Sequence, residues 1–170
     1  GRTATDIGFV ADERKVIIIA DPGPDPDDTK VIIAAGMLPR QNIMKVEALI
    51  CNGGHQACER TALAKTILTH IGMEHQIRVG IGESIKEWKP KAHEYQLDGF
   101  NFAFNATKAD PDQYVGAWIF LEVLRQARNK SLTVQIQTGM TDVANVILSH
   151  GDLFERKVCL CSIMGGLQQN

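Results

Sequence analysis

No apolar stretch of this chain reaches the roughly 20 residues that a helix needs to cross a bilayer. No basic start followed by an apolar segment opens it as a cleavable secretion signal would. An excess of one charge is also lacking. Eighteen Lys and Arg against 20 Asp and Glu leave a formal net charge of −2, which gives nucleic acid or an anionic membrane no attraction to work with. Neither expected partner class is therefore a polyanion. Nucleotide-binding glycine motifs are missing too: neither G-x-x-x-x-G-K-[ST] nor G-x-G-x-x-G follows the first apolar run. Four cysteines occur, Cys51, Cys58, Cys159 and Cys161, with no C-x-x-C pair among them. Cys159 and Cys161 alternate within VCLCSIM, so they share one side of a strand. Buried free thiols are expected, as suits a reducing compartment such as the cytoplasm or an organellar matrix.

What is present is ordinary for a globular protein: 170 residues, 44% hydrophobic and 22% charged, enough for one domain with a real core. The opening GRTATD lacks a methionine and reads as a processing remnant or an added leader. The closing MGGLQQN reads as the beginning of a loop, so a piece of a longer protein is expected. Residues 1–14 are assigned to an N-terminal extension and 15–170 to one α/β domain.

Apolar β-branched runs predict strands at Val16–Ala20, Val46–Cys51, Ile77–Val79, Leu132–Gln137 and Val158–Met164. The near-continuous KVIIIA suits a strand covered on both faces. Helical spacing recurs between them. Ala62, Leu63, Thr66, Ile67, His70 and Ile71 form one stripe before Gly72. Tyr114, Ala117, Trp118, Leu121 and Leu124 form a second, with Pro111 near its start. A shorter helix after Thr141 carries Val143, Ala144, Ile147 and Leu148. Asp28–Leu38 is apolar nearly all round and reads as a buried helix ending at Gly36 and Pro39. The order predicts right-handed crossovers and a mostly parallel open sheet with helices on both faces.

An open α/β sheet binds its ligand outside the carboxyl ends of its strands. Those ends are polar here: Asp21 after the first strand, Asn52 and His55 after the second, Thr138 and Thr141 after the fourth. The turn after the first strand, DPGPDPDD, carries the sharpest signal. Asp21, Asp25, Asp27 and Asp28 lie within eight residues, and no Lys or Arg occurs between Lys15 and Lys30. Crowded carboxylates repel unless something positive sits among them. A hard divalent cation answers that need, and Ca²⁺, with its six to eight oxygen ligands, fits better than Mg²⁺. Pro22, Pro24 and Pro26 stiffen the turn and lower the cost of holding like charges together. Other aspartate sites fit worse. Gly23 stands where a haloacid dehalogenase-type phosphatase needs its second aspartate, and a receiver domain keeps its acidic pair closer to the strand end.

IIIADPGPDPDDTKVIIAA resembles the D-x-D-P-G-x-D-D-A signature of the inosine–uridine nucleoside hydrolases. CNGGHQACERTA is similar to the family's segment after the second strand, with Asn52 eight positions before Arg60. AHEYQLDGF resembles its histidine-led loop, QTGMTDVANVI its T-G-P-L-T-N-L-A, and IMGG its Met-Gly-Gly. The resemblance runs from Lys15 to the last residue. It implies Ca²⁺-dependent hydrolysis of the N-glycosidic bond of ribonucleosides, by metal-activated water with an aspartate general base. Asp21 would be base and metal ligand, Asp28 a second ligand, and Thr138 a third through its carbonyl. Asp27 or Asp25 would bind a ribose hydroxyl, Asn52 would lie near the sugar, and His93 near the nucleobase. It also implies a homo-oligomer or a subunit of an assembly.

The chain departs from the signature as well. Ile19 replaces the first aspartate, two residues are inserted before the acidic pair, Thr29 follows that pair, and Asp142 stands where asparagine is usual. No glycine follows His93. A further aspartate ligand and a leaving-group histidine, which the family takes from its C-terminal half, have no counterpart here. A catalytically inactive nucleoside-hydrolase-like subunit is the alternative expectation, and a different metal-dependent hydrolase the third.

Overall fold

The computed structural model describes residues 15–37, 44–53, 56–83, 97 and 115–164. Five strands form one sheet: β1 (Lys15–Ala20), β2 (Lys45–Cys51), β3 (Arg78–Ile81), β4 (Leu132–Ile136) and β5 (Val158–Ile163). Their spatial order is β3-β2-β1-β4-β5, and every pairing is parallel. Among the described residues four helices connect them: α1 (Pro26–Met37), α2 (Ala57–His70), α3 (Gly116–Gln126) and α4 (Thr141–Lys157). Among the described residues the succession of strands and helices is the one that the apolar runs predict.

Strand β1 is central because both its faces are apolar. Ile17 and Ile19 join Ala48, Ile50, Val134 and Phe120 in one core, while Val16, Ile18 and Ala20 join Leu49, Ile32 and Leu68 in the other. The first core lies under α3 and α4, the second under α1 and α2. In β4 only Leu132, Val134 and Ile136 are buried, and the alternation LTVQI leaves Thr133 and Gln135 half-exposed. One irregularity marks the β1–β2 pair: Val16 faces Val46 but Ile17 faces Ala48, so Glu47 is the extra residue of a bulge. Its carboxylate sits between Lys15 Nζ at 2.8 Å and Lys45 Nζ at 3.3 Å, which holds its pKa down against the effect of burial.

Several local expectations change. Trp118 is 78% exposed, and α3 packs chiefly through Gly116, Phe120, Val123 and Leu124; of the predicted stripe Leu124 is buried and Leu121 is half-buried against the same core. Tyr114 lies outside the described residues. Helix α4 buries Val143 and Val146, with Ala144, Ile147 and Leu148 exposed, and it runs to Lys157 across a non-helical His150. In α2 the predicted Ala62 and Leu63 are buried and Ile67 and Ile71 pack against the core, but the buried face also takes in Arg60, Thr61, Ala64 and Leu68, and His70 is exposed. Helix α1 is half-buried: Ile32 and Ala35 face the sheet, Ile33 and Met37 do not. A periodic stripe wider than the contact has several possible centres, and packing against the sheet selects one. Only Cys51 among the cysteines is buried; Cys58, Cys159 and Cys161 are free and exposed. The last two sit on β5, which pairs with β4 alone among the described residues, and an edge strand has less cover.

Candidate functional site

Strand order reverses at β1. The chain moves from β1 to β2 and β3 on one side, then returns to β4 and β5 on the other. The crevice at the carboxyl ends of β1 and β4 is the place where such a sheet leaves room for a ligand. Asp21 leaves β1 there. Pro26 opens α1, so Asp27 and Asp28 occupy its first turn, where the helix dipole favours negative charge.

The turn brings Asp21 and Asp28 together. The Asp21 amide donates to Asp28 Oδ2 at 3.4 Å, and the Asp28 amide donates to Asp27 Oδ1 at 2.8 Å. Asp28 is only 4% exposed, and its Oδ1 is buried with no hydrogen-bond partner. Burial, then the hydrogen bond and charge of Asp21, then the charge of Asp27, push its pKa up to about 8. Burial also raises Asp21, against the opposing influence of Asp28 and Arg60. Asp25 and Asp27 are exposed at the mouth of a cavity of about 100 Å³, lined also by Asp21, Asp28, Gly23 and Arg60. A larger cavity, about 580 Å³, opens beside Lys65, Arg78 and Glu122 at the opposite end of β3, and among the described residues none of the predicted site residues lines it.

The cation that the local sequence lacks comes from α2. Arg60 Nη1 donates to the Asp21 carbonyl at 2.7 Å and the Pro22 carbonyl at 3.1 Å, and Nε donates to the Gly53 carbonyl at 3.3 Å. The guanidinium lies in a notch of two glycines. A Cβ at Gly23 would meet Nη1 at 2.6 Å, and one at Gly53, whose φ is +121°, would meet Nε at 2.6 Å. Arg60 thus binds the backbone of the acidic turn while its charge acts on both carboxylates. Its contribution to the site is a tertiary contact that spacing alone does not announce.

Asn52 and Thr138 also meet at this rim. The Thr138 hydroxyl donates to Asn52 Oδ1 at 2.9 Å, and Asn52 Nδ2 donates to Asp142 Oδ2 at 2.6 Å. His55 and His93 lie outside the described residues. Among the described residues no group of three His, Cys, Asp or Glu side chains is placed to hold a metal ion. Asp21 and Asp28 nevertheless have the character a hard cation requires: two adjacent carboxylates, one with a buried oxygen lacking a partner.

The raised Asp28 gives a pH prediction. Between the unfolded aspartate value near 4 and about 8, the cation-free folded chain holds a proton that the unfolded chain releases. Stability should therefore fall as pH rises through that window. Thermal unfolding in chelator is expected to show a lower Tm at pH 8.5 than at pH 6. Asp28→Asn should flatten the trend, and a slope unchanged by that substitution overturns the assignment.

No protein-family model matches the chain, and no curated protein matches it at a significant level. Solved structures do. The type III effector protein XopQ complexed with adenosine diphosphate ribose aligns over 93% of this chain and 44% of its own, with TM-score 0.76 and 26% identity. The purine-preferring ribonucleoside hydrolase from Gardnerella vaginalis aligns over 90% of this chain and 49% of its own, with TM-score 0.65 and 15% identity. The inosine–uridine preferring nucleoside hydrolase from Bacillus anthracis gives 92%, 52%, 0.65 and 19% in the same order. The fold is that of the nucleoside hydrolases. The chain spans about half the length of these structures.

Proposed function

We propose that this chain is the amino-terminal portion of a Ca²⁺-dependent nucleoside N-ribohydrolase. One observation carries the reading: a carboxylate pair, buried Asp28 and half-buried Asp21, stands at the switch point of a nucleoside hydrolase fold with Asp28 Oδ1 unpartnered. Asp21, Asp28 and the Thr138 carbonyl would hold the cation. When bound, calcium supplies a lowered pKa to coordinated water and a fixed orientation to the ribose hydroxyls.

The remaining work falls to the chain. Asp21 accepts a proton from the attacking water as general base. Asp25 or Asp27, exposed beside the pair, accepts a hydrogen bond from a ribose hydroxyl. The C–N bond breaks through an oxocarbenium-like transition state whose positive charge the acidic rim favours. Arg60 keeps the Asp21–Pro22 backbone in place while charge develops.

The test is release of free nucleobase by the full-length protein from purine and pyrimidine nucleosides, with ADP-ribose added to the panel, in calcium and in chelator. Release in calcium that chelator abolishes supports the reading. No release from any member with calcium present overturns it.

A further inference from the structure

Asn52 is 3% exposed and Asp142 5%, and neither faces open space at the rim. Both amide protons of Asn52 have partners within the chain: Nδ2 donates to the Gly139 carbonyl at 3.0 Å and to Asp142 Oδ2 at 2.6 Å. Its Oδ1 accepts the Thr138 hydroxyl. The orientation is one-way. Turning the amide over would set Oδ1 against two acceptors, the Gly139 carbonyl and the Asp142 carboxylate. Asp142 is equally constrained, because its Oδ1 accepts the Glu83 amide at 2.9 Å. Both carboxylate oxygens meet donors, so an asparagine at 142 must press its own NH₂ against one of them. Space is closed as well: a Cβ at Gly82 would lie 2.9 Å from both Asn52 Cβ and Asp142 Oδ2.

Asn52 therefore grips consecutive residues of the β4–α4 connection, Thr138 by its hydroxyl and Gly139 by its carbonyl, and Asp142 fixes the grip. Thr138 follows β4 beside the point where Asp21 leaves β1: Ile136 pairs with Ile19, and the Gln137 amide donates to the Ile19 carbonyl at 2.9 Å. We propose that Asn52 and Asp142 are positioning residues that clamp the Thr138–Gly139 segment against the Asp21–Asp28 pair, and that Asn52 serves the cation site instead of the sugar. This inference rests on the reading that Thr138 supplies a carbonyl to calcium. It differs from the role that the family resemblance gives Asn52, and it assigns one to Asp142, where that resemblance marks only a departure.

Asp142→Asn, Asn52→Ala and the double variant in the full-length protein provide the test. Calcium titrated calorimetrically should bind each single variant at least about tenfold more weakly, as loss of an outer partner does at metal sites. The double variant should be no worse than the weaker single, because both act through one contact. At saturating calcium the KM for nucleoside should stay within about twofold. In cation-free protein the backbone amide resonances of Thr138 and Gly139 should move in Asp142→Asn and should not move further when it is added to Asn52→Ala. Asn52→Ala leaves Asp142 its Glu83 partner, so it decides between the two roles even where Asp142→Asn fails to fold. A raised KM with unchanged calcium affinity assigns Asn52 to the sugar and overturns the proposal. Additive effects, or unmoved Thr138 and Gly139 resonances, overturn it too. Absence of calcium binding in the wild type defeats the hydrolase reading on its own, and the cation-free resonances then still decide the clamp.

Discussion

Asp21→Asn in the full-length protein is expected to lower nucleobase release by about 10³-fold, the usual worth of a general base. Asp28→Asn is expected to lose comparable activity through calcium. The two carboxylates do not act alike, because their surroundings differ. Asp21 lies near the charge of Arg60, which favours its ionised form. Asp28 is the more buried and carries the oxygen without a partner. Removing its charge deletes a desolvation cost that the cation-free fold bears. Asp28→Asn should therefore be more stable than the wild type in chelator at pH 8, while losing calcium binding and turnover. Gain of stability with loss of function is the signature of a site residue. A variant that keeps wild-type turnover, or that loses both properties, removes Asp28 from the site.

Arg60→Met should be the most destabilising single change at the rim, at about 3 kcal/mol, the scale for removing one partner of a buried charged cluster. For a chain of this size that corresponds to a Tm fall of roughly 6–12 °C in chelator. Methionine fills much of the volume but donates nothing to the carbonyls of Asp21, Pro22 and Gly53. The acidic turn then loses both its tether to the β2–α2 connection and its nearest positive charge. Excess calcium should recover part of the loss, since a cation bound by the same carboxylates answers the same repulsion. A Tm within about 1 °C of wild type in chelator shows that Arg60 does not hold the turn.

The local pattern was most informative where one physical rule acts over short range. A β-branched run with both faces apolar has one comfortable place in an α/β domain, the middle of the sheet, and Val16–Ala20 is found there. The carboxylates of DPGPDPDD are legible for the same reason: their repulsion is a property of eight consecutive residues. Helix faces were less legible. Trp118 satisfies the period of a buried stripe and is exposed, yet Phe120 and Val123 face the sheet. The spacing is common to both faces, and only the angle at which α3 meets β2 and β3 distinguishes them.

By itself the sequence determined the order of strands and helices, the parallel sheet and the place of the acidic turn, because these follow from alternation, apolar runs and turn chemistry within a few residues of each other. The tertiary structure decided what surrounds that turn. Arg60 reaches the Asp21 carbonyl across 39 residues, and Asn52 meets Asp142 across 90. No period or motif encodes such contacts. They arise because parallel strands bring every carboxyl end to one rim, where side chains remote in the chain satisfy one another's charges and hydrogen bonds.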